Sequence, residues 1–467
     1  MLENGFKPNL KIAASILKML AVLCVGAAQQ LLPTKKQNFN FKRYMKNIKL
    51  VLGIIALTIA FTVLAMNFFG GEKKIDRHVE RLYTLDDPRF SQELGVLLGP
   101  AFVGGNRYKA LLNGDEIFPA MLGAIRSARQ SINFETYIYW SGDIGAKFAE
   151  ELAAQARKGV KVNVLLDWVG SAKVDDSIVK KLTDAGVEIR KFHPPHWSNI
   201  GRLNNRTHRK LLVIDGRLAF TGGVGIAPQW TGNAQDPEHW RDSHFQVEGP
   251  VVAQMQAVFM DNWIKVTGNV LHGPAYFPVL EPVGQGWSQM FSSSPTGGSE
   301  SMQLMYLLAI TAASRSIDLS AAYFVPDDLT LTALVEAMKR GVKLRIIVPG
   351  EHIDSDAVRS ASRARWGPLL ENGALIAQYA PTMFHCKVMT VDGLLVSVGS
   401  TNFDNRSFRL NDEATLNILD LKFAAEQTAI FELDLSRSHT VSYAQWQARP
   451  MKEKLAETMA SLLRSQL

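Results

Sequence analysis

His208-Arg-Lys210-Leu-Leu-Val-Ile-Asp215 and His385-Cys-Lys387-Val-Met-Thr-Val-Asp392 are one pattern, His-x-Lys-x4-Asp, written twice. Paired small residues follow each copy, Gly222-Gly223 and Gly399-Ser400. A histidine beside a lysine suits a phosphodiester. Neutral imidazole is a competent nucleophile near neutral pH, and imidazolium is a competent acid. The ammonium offers charge to phosphoryl oxygens as they become more negative. If the two histidines face each other, one attacks phosphorus while the other protonates the leaving oxygen in line, and the roles exchange when an acceptor alcohol or water arrives. A metal centre fits poorly, because each lysine would repel a divalent cation and no carboxylate stands beside it as a ligand. The expected chemistry therefore uses neither metal nor cofactor. Two structural histidines satisfied by backbone would explain neither the lysines nor the repetition.

Short strands must carry these side chains. The run from Thr207 to Ile214 reads as a strand that turns at Asp215-Gly216 and returns over Arg217–Phe220. Val388–Val391, Asp392-Gly393 and Leu394–Val398 repeat that hairpin, and Asp-Gly is a favourable hairpin turn. Residues two apart on a strand share a face, so His208 and Lys210 point one way, as do His385 and Lys387, with Arg209 and Cys386 on the other side. Five strand residues, about 16 Å, separate each lysine from its aspartate. Asp215 and Asp392 are therefore read as turn-fixing or supporting members of the motif. Each histidine also needs a partner on its far nitrogen. Asp242, in Trp240-Arg-Asp-Ser-His244, and Glu413, in Leu410-Asn-Asp-Glu413, recur downstream of the two motifs and are the candidates.

Beyond Arg77 the chain repeats itself. Ala124–Tyr139 matches Ala309–Phe324 in pattern, and Arg157–Leu166 matches Lys339–Val348. Amphipathic stretches at Gly145–Arg157 and Leu329–Arg340 alternate with β-rich runs at Val160–Leu166 and Leu344–Val348. The pattern predicts an α/β fold of two like repeats packed as a pseudo-twofold pair, with the active site at their interface. The expected division is an anchor region over 1–76, a first repeat over 77–283, a Pro-, Gly- and Ser-rich connector over 284–300, and a second repeat over 301–467.

The chain has 467 residues and a net charge of +7, enough for two globular units and suited to an anionic partner, whether nucleic acid or acidic lipid. No charged residue occurs from Leu50 to Gly71, so a transmembrane helix is expected over about 50–69. Basic residues from Lys35 to Lys49 precede it, which places the N-terminus in the cytoplasm and the main body outside. An earlier apolar segment, 12–32, is broken by Lys18, Gln29 and Gln30; if it also spans, the orientation reverses. Cys24 and Cys386, the two cysteines, are not expected to pair. Arg359, Arg363 and Arg365 either meet anionic headgroups or form a solvated helix face, and the latter is the favoured reading.

Through both His-x-Lys-x4-Asp motifs and their small-residue tails, the chain resembles the phospholipase D superfamily. Gly399-Ser-Thr-Asn-Phe-Asp-Asn-Arg-Ser-Phe-Arg-Leu-Asn-Asp-Glu413 and Ala322-Tyr-Phe-Val-Pro-Asp327 resemble the bacterial cardiolipin synthases and related phosphatidyltransferases in particular. The resemblance, running from about Asn106 to the C-terminus, implies two-step transfer through a phosphohistidine. His208 would be the nucleophile, His385 the acid/base, and Lys210 and Lys387 the phosphate-holding cations, joined by Asn402 and Ser400. Asp242 and Glu413 would each orient the histidine of the opposite repeat. Gly225 departs from the pattern, standing where the first repeat would carry the counterpart of Asn402.

The implied partner is an anionic phospholipid, phosphatidylglycerol, at a bacterial inner membrane, with the catalytic body on the periplasmic or outer side. The favoured activity joins two phosphatidylglycerols into cardiolipin and glycerol. A hydrolase releasing phosphatidic acid would use the same residues with water as acceptor. A nuclease is disfavoured by two motifs in one chain beside an apolar span, so no nucleic-acid partner is expected. An inactive lipid-binding scaffold is disfavoured because both motifs are complete.

Overall fold

The structure, a computed structural model, describes residues 41–68, 75–195, 204–295, 301–462 and 466. The chain divides into two compact units, one holding the helix Phe41–Phe68 and the other holding both motifs.

In the first unit the helix runs 28 residues, about 42 Å at 1.5 Å per residue. Its side chains are described to residue 62, and Leu50, Leu52, Ile55, Leu57, Ile59 and Phe61 among them are exposed. Among the described residues no helix is long and apolar enough to cross a membrane. The end of the expected span and the whole of segment 12–32 lie outside the described residues.

The second unit is built on one 16-stranded sheet. Its first half contributes β1 (Val103–Leu112), β2 (Ser131–Thr136), β3 (Lys161–Asp167), β4 (Glu188–Phe192), β5 (Arg206–Thr207), β6 (Leu211–Ile214), β7 (Leu218–Gly222) and β8 (Ser243–Glu248). The second contributes β9 (Gly286–Ser293), β10 (Ser316–Ala321), β12 (Lys343–Pro349), β13 (Leu375–Tyr379), β14 (Lys387–Val391), β15 (Leu395–Gly399), β17 (Asn411–Leu419) and β18 (Ser438–Val441); β11 (Phe324–Val325) and β16 (Phe403–Asp404) pair separately.

Strands β1 and β9 adjoin at the centre. Outward from them the order is β1-β8-β7-β6-β2-β3-β4 on one side and β9-β17-β15-β14-β10-β12-β13-β18 on the other. The two runs match strand for strand until β18 adds an edge. β9 lies inside the stretch expected to be a connector. Its Pro- and Gly-rich flanks read as linker, yet Trp287 to Ser293 pair with Leu419 to Glu413 of β17.

Helices sit where amphipathic spacing places them, Asp143–Arg157 and Asp328–Lys339 among them. One apolar cluster draws on both halves, with Val213, Phe245 and Trp263 packed alongside Met290, Val398 and Leu416. Fully burying side chains of this size contributes about 1.5–3 kcal/mol each, so the halves share a core.

Both expected hairpins form. Asp215-Gly216 and Asp392-Gly393 have positive φ at both positions (52° and 61°, 54° and 62°), as a tight two-residue turn between twisted strands requires.

Candidate active site

The expected strand over Thr207–Ile214 is interrupted. β5 ends at Thr207 and β6 begins at Leu211, leaving His208-Arg209-Lys210 off the regular ladder. The reason is a partner from the other half. β5 pairs in parallel with β17, Thr207 opposite Asp412, and the His208 N–H donates to Asp412 O at 2.9 Å. The mirror crossing joins Arg241 to Phe384: Arg241 N–H donates to Met383 O at 2.9 Å, and the His385 N–H to Arg241 O at 2.7 Å. Each crossing sets a histidine beside an acid of the opposite half.

The side chains follow. His208 Nδ1 lies 2.9 and 3.1 Å from the two Glu413 oxygens, and His385 Nδ1 lies 2.7 Å from Asp242 Oδ2. Both carboxylates are buried and can only accept, so the network assigns the ring proton to Nδ1 and leaves Nε2 with its lone pair. The His208 and His385 side chains remain 11% and 7% exposed, so each ring keeps an accessible edge. Lys210 Nζ donates to His208 O at 2.8 Å and Lys387 Nζ to His385 O at 2.9 Å. Lys387 Nζ also lies 3.2 and 3.3 Å from the ring nitrogens of His385.

The electrostatics tie these groups into one cluster. Burial pushes His208 down to about 4, against the pull of Glu413. Burial likewise lowers Lys210 to about 7, with Glu413 opposing and Lys387 adding to the fall. His385 and Lys387 are also held below their ordinary values, by burial first. For Asp242 and Glu413 burial favours the neutral acid, but the facing imidazoles and lysines outweigh it and keep both acids below the ordinary range. Lys210 feels Glu413 and Lys387, and Lys387 feels Asp242, so the field of each half reaches the other.

The two carboxylates are braced differently. Glu413 accepts from Ser400 Oγ at 2.5 Å, Ser407 Oγ at 2.7 Å and Asn411 Nδ2 at 3.2 Å. Ser400, expected at the phosphate, is instead fully buried and committed to this carboxylate. Asp242 accepts from the Trp230 indole at 2.9 Å and from the Ser243 N–H at 2.8 Å. Gly223, the counterpart of Ser400, leaves no room for a side chain, since a Cβ there would stand 2.3 Å from Asp242 Oδ1. Gly225 has a similar cause: a Cβ would meet Ile138 at 2.9 Å and the Trp230 ring at 3.0 Å. Ile138 and Trp230 thus occupy the space that a side chain at 225 would need. Asn402 is buried, and its Oδ1 has no partner among the described residues.

Asp215 and Asp392 stay away from this cluster. Asp215 accepts from the N–H groups of Arg129, Gln130 and Ser131, and Asp392 from those of Ser314, Arg315 and Ser316. They fasten each hairpin turn to the start of β2 or β10. Arg209 points behind the site, where its Nη1 donates to Val258 O at 2.8 Å and its Nη2 to Asp261 at 2.9 Å. Arg363 and Arg365 pair with Glu453 and Asp328, both at 2.7 Å, so neither is an open headgroup site.

Sequence reading missed the aromatic frame. Tyr137 stands edge-on to His208 at 5.2 Å, and Trp230, Trp240 and Tyr323 surround His385 at 5.3, 5.4 and 6.3 Å between ring centres. Trp230 and Ser407 were also missed. Trp240, two residues before Asp242, was the available signal; Trp230 has no counterpart in the other repeat to mark it.

The family model described as "Cardiolipin synthase, PLD-like domain" matches residues 121–263 and 306–435, one stretch around each motif. The chain belongs to this family. Relatives of the cardiolipin synthase family include the cardiolipin synthase of Geobacillus sp. (strain WCH70), 36% identical over 360 residues that cover 76% of this chain and 71% of the relative. Cardiolipin synthase 2 of Bacillus anthracis is 32% identical over 390 residues, 83% of this chain and 74% of the relative. Among solved structures, phosphatidylserine synthase of Haemophilus influenzae Rd KW20 superposes with a TM-score of 0.60 over 81% of this chain and 99% of that one. At 13% identity that likeness concerns the fold alone.

Proposed function

We propose that this chain is a cardiolipin synthase that transfers a phosphatidyl group from one phosphatidylglycerol to another and releases glycerol. The crossed pairing of His208 with Glu413 and His385 with Asp242 carries the reading, because it turns two lone pairs on Nε2 toward one charged cluster. In the first step His385 has taken up a solvent proton on Nε2; His208 Nε2 attacks phosphorus, the phosphorus–oxygen bond to the headgroup glycerol breaks, and His385 gives that proton to the departing oxygen. In the second, His385 takes the proton of a headgroup hydroxyl on another phosphatidylglycerol. That oxygen attacks phosphorus, the phosphorus–nitrogen bond breaks, and His208 is restored.

Lys210 and Lys387 neutralise the phosphoryl oxygens, and Asn402 donates its Nδ2–H to one of them. Asp215 and Asp392 support the motif through their turns. The two halves act as a pseudo-twofold pair around this one site, with the second half beginning at β9. The helix Phe41–Phe68, uncharged from Leu50 onward, anchors the chain in the bacterial inner membrane with the catalytic body outside. The sequence of the helix and the basic residues before it support this placement.

The test supplies labelled phosphatidylglycerol to the detergent-solubilised chain and separates the products. Cardiolipin with glycerol is expected, His208→Ala should abolish it without loss of fold, and His385→Ala should slow both formation and breakdown of the phosphatidyl adduct on His208. Phosphatidic acid without cardiolipin would replace the synthase reading with a hydrolase.

A further inference from the structure

The helix Met451–Leu462 carries its apolar residues on the outside. Met451, Leu455, Met459 and Leu462 are 76, 64, 58 and 73% exposed, whereas Glu457 and Ala460 are buried. At about 100° per residue the four exposed side chains fall within a stripe roughly 80° wide, directly opposite the buried face. Lys452 lies along one edge of that stripe and Lys454 along the other. An ordinary surface helix has the reverse arrangement, apolar within and charged without.

The helix is firmly held in this orientation. Ala460 packs with Val325, Val358 and Ala361, a cluster bordered by Tyr323. Glu457 accepts from Arg449 Nε at 2.8 Å and Nη2 at 2.6 Å, and Glu453 pairs with Arg363 at 2.7 Å. Tyr323 is the ring that stands edge-on to His385. Beyond the helix, Gln466 O accepts from Arg406 Nη1 at 3.0 Å, and Arg406 directly precedes Ser407, which braces Glu413. The helix that carries the stripe therefore packs on a cluster bordered by the ring that faces His385.

We propose that the stripe is a membrane-docking surface that rests in the headgroup and upper acyl region of an anionic phospholipid bilayer. There it holds the mouth of the site at the plane where its substrates lie. The inference rests on the phospholipid reading given above. Apolar side chains outward with a lysine on each flank match such a surface in both hydrophobicity and charge. Four side chains fall well short of the roughly 800 Å² per partner that a specific protein interface buries, which argues against a second copy as the occupant.

The test places an environment-sensitive fluorophore on Leu455→Cys in the full chain, in a Cys24→Ser background with Cys386 left in its buried position. A control carries the label on Glu371→Cys, an exposed site away from the helix. Both are reconstituted into vesicles of phosphatidylcholine and phosphatidylglycerol with and without acyl-chain quencher lipids. Docking predicts a blue-shifted label at 455 that is quenched in the vesicles, with the control unchanged. A label at 455 that behaves like the control overturns the proposal, as does a blue shift in detergent alone that grows with protein concentration, the mark of a second copy.

Turnover gives a separate reading. Serine at all four stripe positions should lower activity on vesicle phosphatidylglycerol by about tenfold and leave short-chain, monomerically dispersed phosphatidylglycerol within about twofold. Equal loss on both substrates refutes docking. Wild-type chain inactive on both would sink the phospholipid reading itself, and label insertion, scored independently of turnover, keeps the two failures apart.

Discussion

Glu413→Gln separates what the carboxylate does for His208 from what the rest of the site does. The wild-type carboxylate accepts from His208 Nδ1 at 2.9 and 3.1 Å, from Ser400 at 2.5 Å and from Ser407 at 2.7 Å. A glutamine amide replaces one of those acceptor oxygens with a donor, so one neighbour loses its partner. If the amide nitrogen faces the imidazole, Nδ1 must become the acceptor and Nε2 takes the proton, which removes the nucleophile. With the favourable tautomer kept, the loss is that of a charge-assisted hydrogen bond, about 1.5–3 kcal/mol, or about ten- to 150-fold in kcat at 1.36 kcal/mol per decade. The pH profile adds a signed check. Glu413 lifts His208 against burial, so its removal leaves the ring with a still lower proton affinity and the acid limb moves to lower pH. The assay is kcat for cardiolipin formation from labelled phosphatidylglycerol in mixed micelles across pH, with a thermal melt to verify folding. A kcat within about twofold of wild type, or an acid limb moving upward, would refute this account of the pair.

Other consequences are equally specific. Lys210, lowered to about 7 by burial, loses its charge as pH rises through that value, so activity should decline on the alkaline side of neutrality; Lys210→Arg, always charged, should start lower but lose that limb. Gly223→Ala forces a methyl against Asp242 Oδ1 at 2.3 Å and should cut kcat by about tenfold or more through a displaced His385, whereas an unaffected rate would mean Asp242 does not orient that ring. Asp215→Asn weakens three backbone N–H contacts at the β6–β7 turn and should cost about 1–3 kcal/mol in stability, read as a lowered Tm, with the specific activity of folded protein unchanged. Loss of activity at an unaltered Tm would place Asp215 in the chemistry.

Much of this site was legible because it is encoded locally and then repeated. The two motifs, their Asp-Gly turns and the turn-fixing role of Asp215 and Asp392 follow from strand rise and turn chemistry, and the hairpins form where spacing puts them. The crossing of Asp242 and Glu413 between halves came from resemblance, since no local signal says which histidine an acid serves. The break at His208–Lys210 was hidden because the His208 N–H finds its acceptor on Asp412, far along the chain. β9 was masked by Gly and Pro at its ends, although its pairing with β17 joins the second half to the centre of the sheet. The commitment of Ser400 to Glu413 and the cause of the glycine at 225 were not legible, for a shared reason. Their roles depend on whether a glutamate or a shorter aspartate stands behind them, and on an indole at Trp230 that the second repeat lacks.

Convergence of both histidines on one phosphorus is tested most directly by a crystal structure with orthovanadate bound. The account predicts a single trigonal-bipyramidal vanadate with His208 Nε2 at one apex, His385 at the opposite side, and Lys210, Lys387 and Asn402 on its equatorial oxygens. Vanadate bound to one histidine while the other opens into a separate cavity would contradict it.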